Sequence, residues 1–162
     1  MREDVVQELH WGQVVTLTRP KAKHIKLQSW QVRLLRPLGE HLGYVESELP
    51  FRAVPEYDLR AADVAFVSRE RWDATEDSDD LRGAPELVIE VLSKSNTARE
   101  MQEVAALCLS TGTVEFWVLD AEAKTVSVTR REGSTIIYRD GDVISISLFA
   151  SDIQVSRIFG GK

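Results

Sequence analysis

The sequence predicts an α/β (α+β) domain: a mixed β-sheet flanked by helices, with a C-terminal antiparallel meander. Three observations carry that reading. Strand-like runs alternate with two helical stretches, an order that buries one sheet between layers. Two runs, residues 86–92 (ELVIEVL) and 114–120 (VEFWVLD), are nearly all apolar, as strands covered on both faces must be. From Lys124 onward apolar and polar residues alternate instead, the pattern of half-buried antiparallel strands.

The elements follow in order. Residues 11–18 (WGQVVTLT) form a short β-branched strand that Arg19-Pro20 ends. Residues 21–42 form a helix, with Ile25, Trp30, Leu34, Leu35, Leu38 and Leu42 at helical spacing, a kink at Pro37 and Gly43 as its C-terminal cap. Residues 44–54 alternate as a strand, 55–59 turn, and 63–68 (DVAFVS) make a compact strand. The acidic stretch 69–85 reads as a solvated loop, and its acids lack calcium-loop spacing. After the strand at 86–92, a helix spans 97–110. Thr97 and Glu100 make its capping box, and Met101, Val104, Ala105 and Cys108 its apolar stripe. Gly112 ends that helix. The meander runs through 124–130, 135–139 and 143–148, with Glu132-Gly133 and Asp140-Gly141 as turns.

Composition narrows the classes of function. A length of 162 residues predicts one domain spanning 1–162. At 43% hydrophobic and 28% charged the chain is globular rather than disordered. No apolar run approaches the ~20 residues of a membrane span, so no membrane partner is expected. The opening MREDVVQELHWGQ has no apolar signal core, and Cys108 is the lone cysteine. A disulfide framework and a cysteine-based zinc site are excluded, and a reducing cytoplasm is the expected compartment. The net charge of −6 argues against a general nucleic-acid coat. The charge is uneven, however. Six of the 20 bases (Arg19, Lys21, Lys23, Lys26, Arg33 and Arg36) fall in one stretch with no acid. That stretch is either a solvated helix face or a local phosphate-contacting surface. A homodimer is expected only because two-fold assembly is the commonest oligomer.

Two acids stand out. Asp63 opens a short hydrophobic strand, and Glu90 interrupts the most apolar one. A buried carboxylate is costly unless paired or bound to a metal. Neighbouring strands with one acid each can present converging oxygens to a divalent cation. Equally, Asp63 can cap its strand and Glu90 can pair with an arginine. Spacing alone favours that structural reading.

A resemblance shifts the weighing. The runs Ala62-Asp63-Val64-Ala65-Phe66-Val67-Ser68 and Ala84-Pro85-Glu86-Leu87-Val88-Ile89-Glu90-Val91-Leu92-Ser93 resemble the bacterial Uma-two-type family of putative restriction endonucleases. That family lies within the PD-(D/E)XK nuclease superfamily. Val114-Glu115-Phe116-Trp117-Val118-Leu119-Asp120 is similar to the family's EYWIVD strand, and Pro20 and His24 match a Pro-x(n)-His at the start of its first helix. The resemblance implies a restriction-endonuclease-like fold and hydrolysis of phosphodiester bonds. It implies Asp63 and Glu90 as metal ligands, the Val91 carbonyl as a further ligand, and Mg2+ or Mn2+ as the ion. It places His24 near the site. DNA, met by the basic first helix, is the implied partner.

The sequence also departs from the family pattern. Leu92 stands where the superfamily has lysine. The family's displaced helix lysine aligns with Val104. Lys94, just after the strand, and Arg99, on the helix, are the candidates to replace it, although an arginine cannot accept a proton at neutral pH. The alternative is a degenerate nuclease fold acting as a binding or interaction module. Trp30, Phe116, Trp117 and Cys108 read as packing residues.

Overall fold

The computed structural model describes residues 5–160. Its centre is a seven-stranded sheet. The strands are β3 (Gly43–Arg52), β4 (Arg60–Ser68), β5 (Leu81–Arg82), β6 (Leu87–Val91), β7 (Glu115–Asp120), β8 (Thr125–Arg130) and β9 (Thr135–Tyr138). They lie in the order β5-β3-β4-β6-β7-β8-β9. The β6–β7 pair is parallel, as a crossover helix between them requires, and that helix is α3 (Ala98–Thr111). The β3–β4, β4–β6, β7–β8 and β8–β9 pairs are antiparallel. The expected mixed sheet with flanking helices is therefore present.

Each face of the sheet has its own core. On one, Leu34 and Leu35 of α1 (Ala22–Gly39) pack with Phe66, Ile89 and Trp117. On the other, Leu107 and Cys108 of α3 pack with Val88 and Phe116. Thr97 caps α3 as expected, its side chain accepting the Glu100 amide at 3.1 Å. Trp30 is half-buried and donates to the Arg157 carbonyl at 2.6 Å.

Several sequence expectations need correction. The strand expected over 11–18 begins later, as β2 (Gln13–Thr18), because Trp11 and Gly12 form a two-residue hairpin turn to β1 (Val5–His10). Both turn residues have positive φ, the geometry that matches strand twist, and Trp11 in place of the usual Asn hid the signal. Gly43 does not cap α1, which ends at Gly39 with Glu40 as its C-cap. It lies buried in β3, where a Cβ would collide with the Val67 carbonyl oxygen. Ile25 and Leu42 are exposed, while Gln28 and Gln31 occupy the buried stripe of α1. The stretch 69–85 is not all loop. It contains α2 (Arg69–Asp73) and β5, held by Arg71, which bonds Glu86 at 2.6 Å and the Ala84 carbonyl at 2.9 Å. The third meander strand leaves the sheet. Residues Val143–Ile146 (β10) pair instead with Ser151–Gln154 (β11), and a last helix, α4 (Val155–Ile158), follows. Ile144, Ile146 and Ile153 thereby complete the core beside α1, a burial that continuing the meander at the sheet edge would not provide.

Candidate functional site

The strand register brings the acids to one level. Ser47 pairs with Val64 and Leu49 with Ala62, so position 48 lies beside position 63. Val64 pairs with Ile89, and one step further along places 63 beside 90. Glu48, Asp63 and Glu90 therefore sit on three consecutive strands. At this level β3 and β4 pass from one core to the other. Val45 and Val64 belong to the core beside α1, whereas Leu49 and Ala62 belong to the core beside α3. Regular alternation would keep each pair on one face. Glu48, at φ +51, stands at that change on β3. Left-handed backbone at a residue other than glycine is unfavourable and tends to persist where the surroundings impose it.

Asp63 is the hub. Its Oδ2 accepts the Val91 amide at 2.8 Å and lies 3.3 Å from His24 Nε2. Its Oδ1 accepts from Gln28 Nε2 at 3.1 Å, and the same nitrogen donates to Glu48 Oε1 at 2.6 Å. His24 and Gln28 lie one turn apart on α1 and so point the same way. Glu90 lies beside Asp63 on the adjacent strand. Glu8, on β1, completes the acidic surroundings and accepts the Ala61 amide at 3.0 Å.

Charge and burial move three of these groups in one direction. Burial pushes the Glu90 carboxyl well above the usual range, and the neighbouring Asp63 charge and hydrogen bond add to it. Burial also raises Glu48, with Asp63 repelling it. The hydrogen bond to Asp63, aided by the charges of Asp63 and Glu48, raises His24 against an opposing burial effect. The site thus carries more negative charge than its surroundings stabilise. A proton held on Glu90 relieves that excess, and a cation would do the same.

A divalent ion here would be held by few protein ligands and mostly by water, not in a closed protein cage. Among the described residues no group of three or more His, Cys, Asp or Glu converges as ready-made metal ligands. Asp63 and Glu90, side by side on adjacent strands, would suit Mg2+, an ion that keeps several waters and binds through one or two carboxylates.

The structure brings Asp63, Glu90, the Val91 backbone and His24 together. The Val91 amide donates to Asp63. Lys94 is exposed on the loop after β6 and makes no hydrogen bond or ion pair among the described residues. Arg99 is paired with Glu103 at 3.2 Å on the surface of α3. Val104 packs against the core beside α3. Cys108 is buried, its thiol pushed up to about 12, and so has no nucleophilic character. Sequence reading missed Glu8, Glu48 and Gln28. Only Gln28 left a signal, as a polar residue on the apolar stripe of a helix.

This is an α+β fold with one acid on each of three adjacent strands and a helix packed across them. The same fold occurs in a crystal structure of a putative nuclease belonging to DUF820 from Anabaena variabilis. The TM-score is 0.82 at 20% identity, covering 98% of this chain and 93% of that one. The profile of the family described as "Putative restriction endonuclease" matches residues 1–157, and the chain belongs to that family. No curated protein matches it. Among the described residues no helix is long and apolar enough to cross a membrane.

Proposed function

We propose that the protein is a metal-dependent endonuclease that hydrolyses phosphodiester bonds in DNA, with Asp63 and Glu90 as the residues that hold Mg2+ or Mn2+. The observation that carries this reading is the strand register that sets Asp63 and Glu90 side by side, where burial and then the Asp63 charge raise Glu90. A divalent ion bound there would supply Lewis acidity toward a phosphate and lower the pKa of a bound water. The chain's own groups do the rest. The Val91 amide orients Asp63. His24, raised by Asp63, would hold a proton at Nε2 toward that carboxylate.

The first helix supports nucleic acid as the partner. Arg19, Lys21, Lys23 and Lys26 are all exposed around His24. No acid lies in the first turn of α1, and Lys21 at its N-cap makes no side-chain capping bond. Bases at a helix N-terminus oppose the macrodipole, at about 0.3–1 kcal/mol each. A phosphate backbone offsets that cost, because the same N-terminus attracts anions. Val104 favours a second reading, a nuclease fold that binds without cutting, because the position aligned with the family lysine is spent on core packing.

The experiment is Mn2+ and Mg2+ titration calorimetry on wild type and Glu90→Gln, followed by cleavage of plasmid and oligonucleotide DNA. Binding that Glu90→Gln abolishes, with cleavage, supports the enzyme. Binding of ion and DNA without cleavage supports the second reading. No ion binding at millimolar concentration overturns the metal-dependent proposal.

A further inference from the structure

We infer that Gln28 is a positioning residue that holds Asp63 for the cation. The inference rests on the metal-dependent reading above. Gln28 is only 3% exposed, in the middle of α1. A buried amide without partners costs about 1–3 kcal/mol, so its bonds show what it is for. The other buried glutamine of this helix, Gln31, donates to the Ile158 carbonyl at 2.6 Å and ties α1 to the C-terminal segment. Gln28 makes no such tie. Its one nitrogen directs its two hydrogens to two carboxylates, Asp63 Oδ1 at 3.1 Å and Glu48 Oε1 at 2.6 Å.

Counting lone pairs shows the consequence. Asp63 Oδ2 faces two groups, the Val91 amide and His24. Oδ1 accepts from Gln28, and the Glu90 carboxyl faces Asp63 as well. A cation taking the place of the Glu90 proton would meet an Asp63 carboxylate whose Oδ1 is already turned by the Gln28 bond. The same amide stands between carboxylates on neighbouring strands, where like charges destabilise. It also anchors Glu48, whose backbone is left-handed. A neutral amide bridges the two acids at any pH, which a second carboxylate or a histidine in its place would not. Partners one shell removed from a metal commonly contribute 10–100-fold to its affinity.

The test compares wild type with Gln28→Met, which keeps length and burial but removes both hydrogens. Two quantities are read well below the melting temperature: Mn2+ affinity by calorimetry, and the Val91 amide resonance without metal. The second reports the bond to Asp63 whether or not an ion binds. The expected result is Mn2+ affinity lowered about tenfold or more, with the Val91 amide moved and the β8 amides unmoved. Unchanged affinity overturns the inference, whatever the Val91 amide does. If wild type binds no Mn2+, the metal-dependent reading fails on its own. The Val91 amide then decides whether Gln28 positions Asp63, and an unmoved resonance rejects it. Should Gln28→Met not fold, Gln28→Asn, which keeps the amide but withdraws it by one carbon, is read by the same two measurements.

Discussion

Replacing Glu90 by Gln should make the metal-free protein more stable at neutral pH while removing its response to metal. The sign follows from the site. Folding raises the Glu90 carboxyl above its ordinary 4.5, chiefly through burial and then through Asp63. Between 4.5 and the raised value the folded chain holds a proton that the unfolded chain has released. Stability therefore falls as pH rises through that window, by about 1.4 kcal/mol per pH unit. For a chain of this size that is roughly 3–5 °C of melting temperature per unit. Glutamine keeps a donor toward Asp63 and has nothing to ionise, so its melting temperature should run flatter over the window. Glu48 and His24, also raised, contribute a slope of the same sign to both proteins, so the difference between the profiles reports Glu90 together with its coupling to Glu48. The assay is thermal unfolding of both proteins in half-unit steps from about pH 4.5 to 8, with and without Mn2+. At about 100 times its dissociation constant, Mn2+ should add ~2.7 kcal/mol to wild type and little to Glu90→Gln. Parallel pH profiles for the two proteins would refute the reasoning, because Glu90 would then ionise no differently folded than unfolded.

Other consequences are equally direct. Gly43→Ala should cost at least about 1–3 kcal/mol in urea unfolding, since the added methyl meets the Val67 carbonyl and the Phe66 ring in a packed sheet. Arg130→Met should cost about 3–5 kcal/mol by stranding Glu115, whose side chain is fully buried and bonded to Arg130 at 3.1 Å. Adding Glu115→Gln to that variant should recover part of the loss, and no recovery would point to a packing role for the arginine. Lys21→Gln with Lys23→Gln should weaken duplex binding. It should also flatten the dependence of log affinity on log salt by about 0.9 for each phosphate the protein no longer neutralises. An unchanged slope would move the DNA surface elsewhere. Cys108 should resist thiol reagents at mildly alkaline pH until the protein unfolds, because its thiol is buried and raised to about 12. Prompt labelling of the native protein would contradict that environment.

The sequence by itself determined the parts whose signal is local. Runs such as ELVIEVL and VEFWVLD can be satisfied only in a sheet covered on both faces, and they are β6 and β7. Thr97 three residues before Glu100 marks a helix start wherever the chain goes. Asp63 and Glu90 were visible because a carboxylate among apolar strand residues is energetically conspicuous without any neighbour being known. Tertiary structure decided the rest. Glu48 looks like any polar residue of an alternating strand until the β3–β4 register sets it beside Asp63. Gln28 is an odd polar residue on a helix stripe until that helix crosses the sheet at the acids. Gly43 reads as a helix cap until a neighbouring carbonyl claims the space of its missing side chain. Nothing within residues 143–146 tells whether they extend the meander or pair with β11. The choice rests on apolar surface that the strand covers only after α1 and the sheet have come together. Each of these was settled by distant parts of the chain competing for the same place in the fold, and no local window of sequence contains that competition.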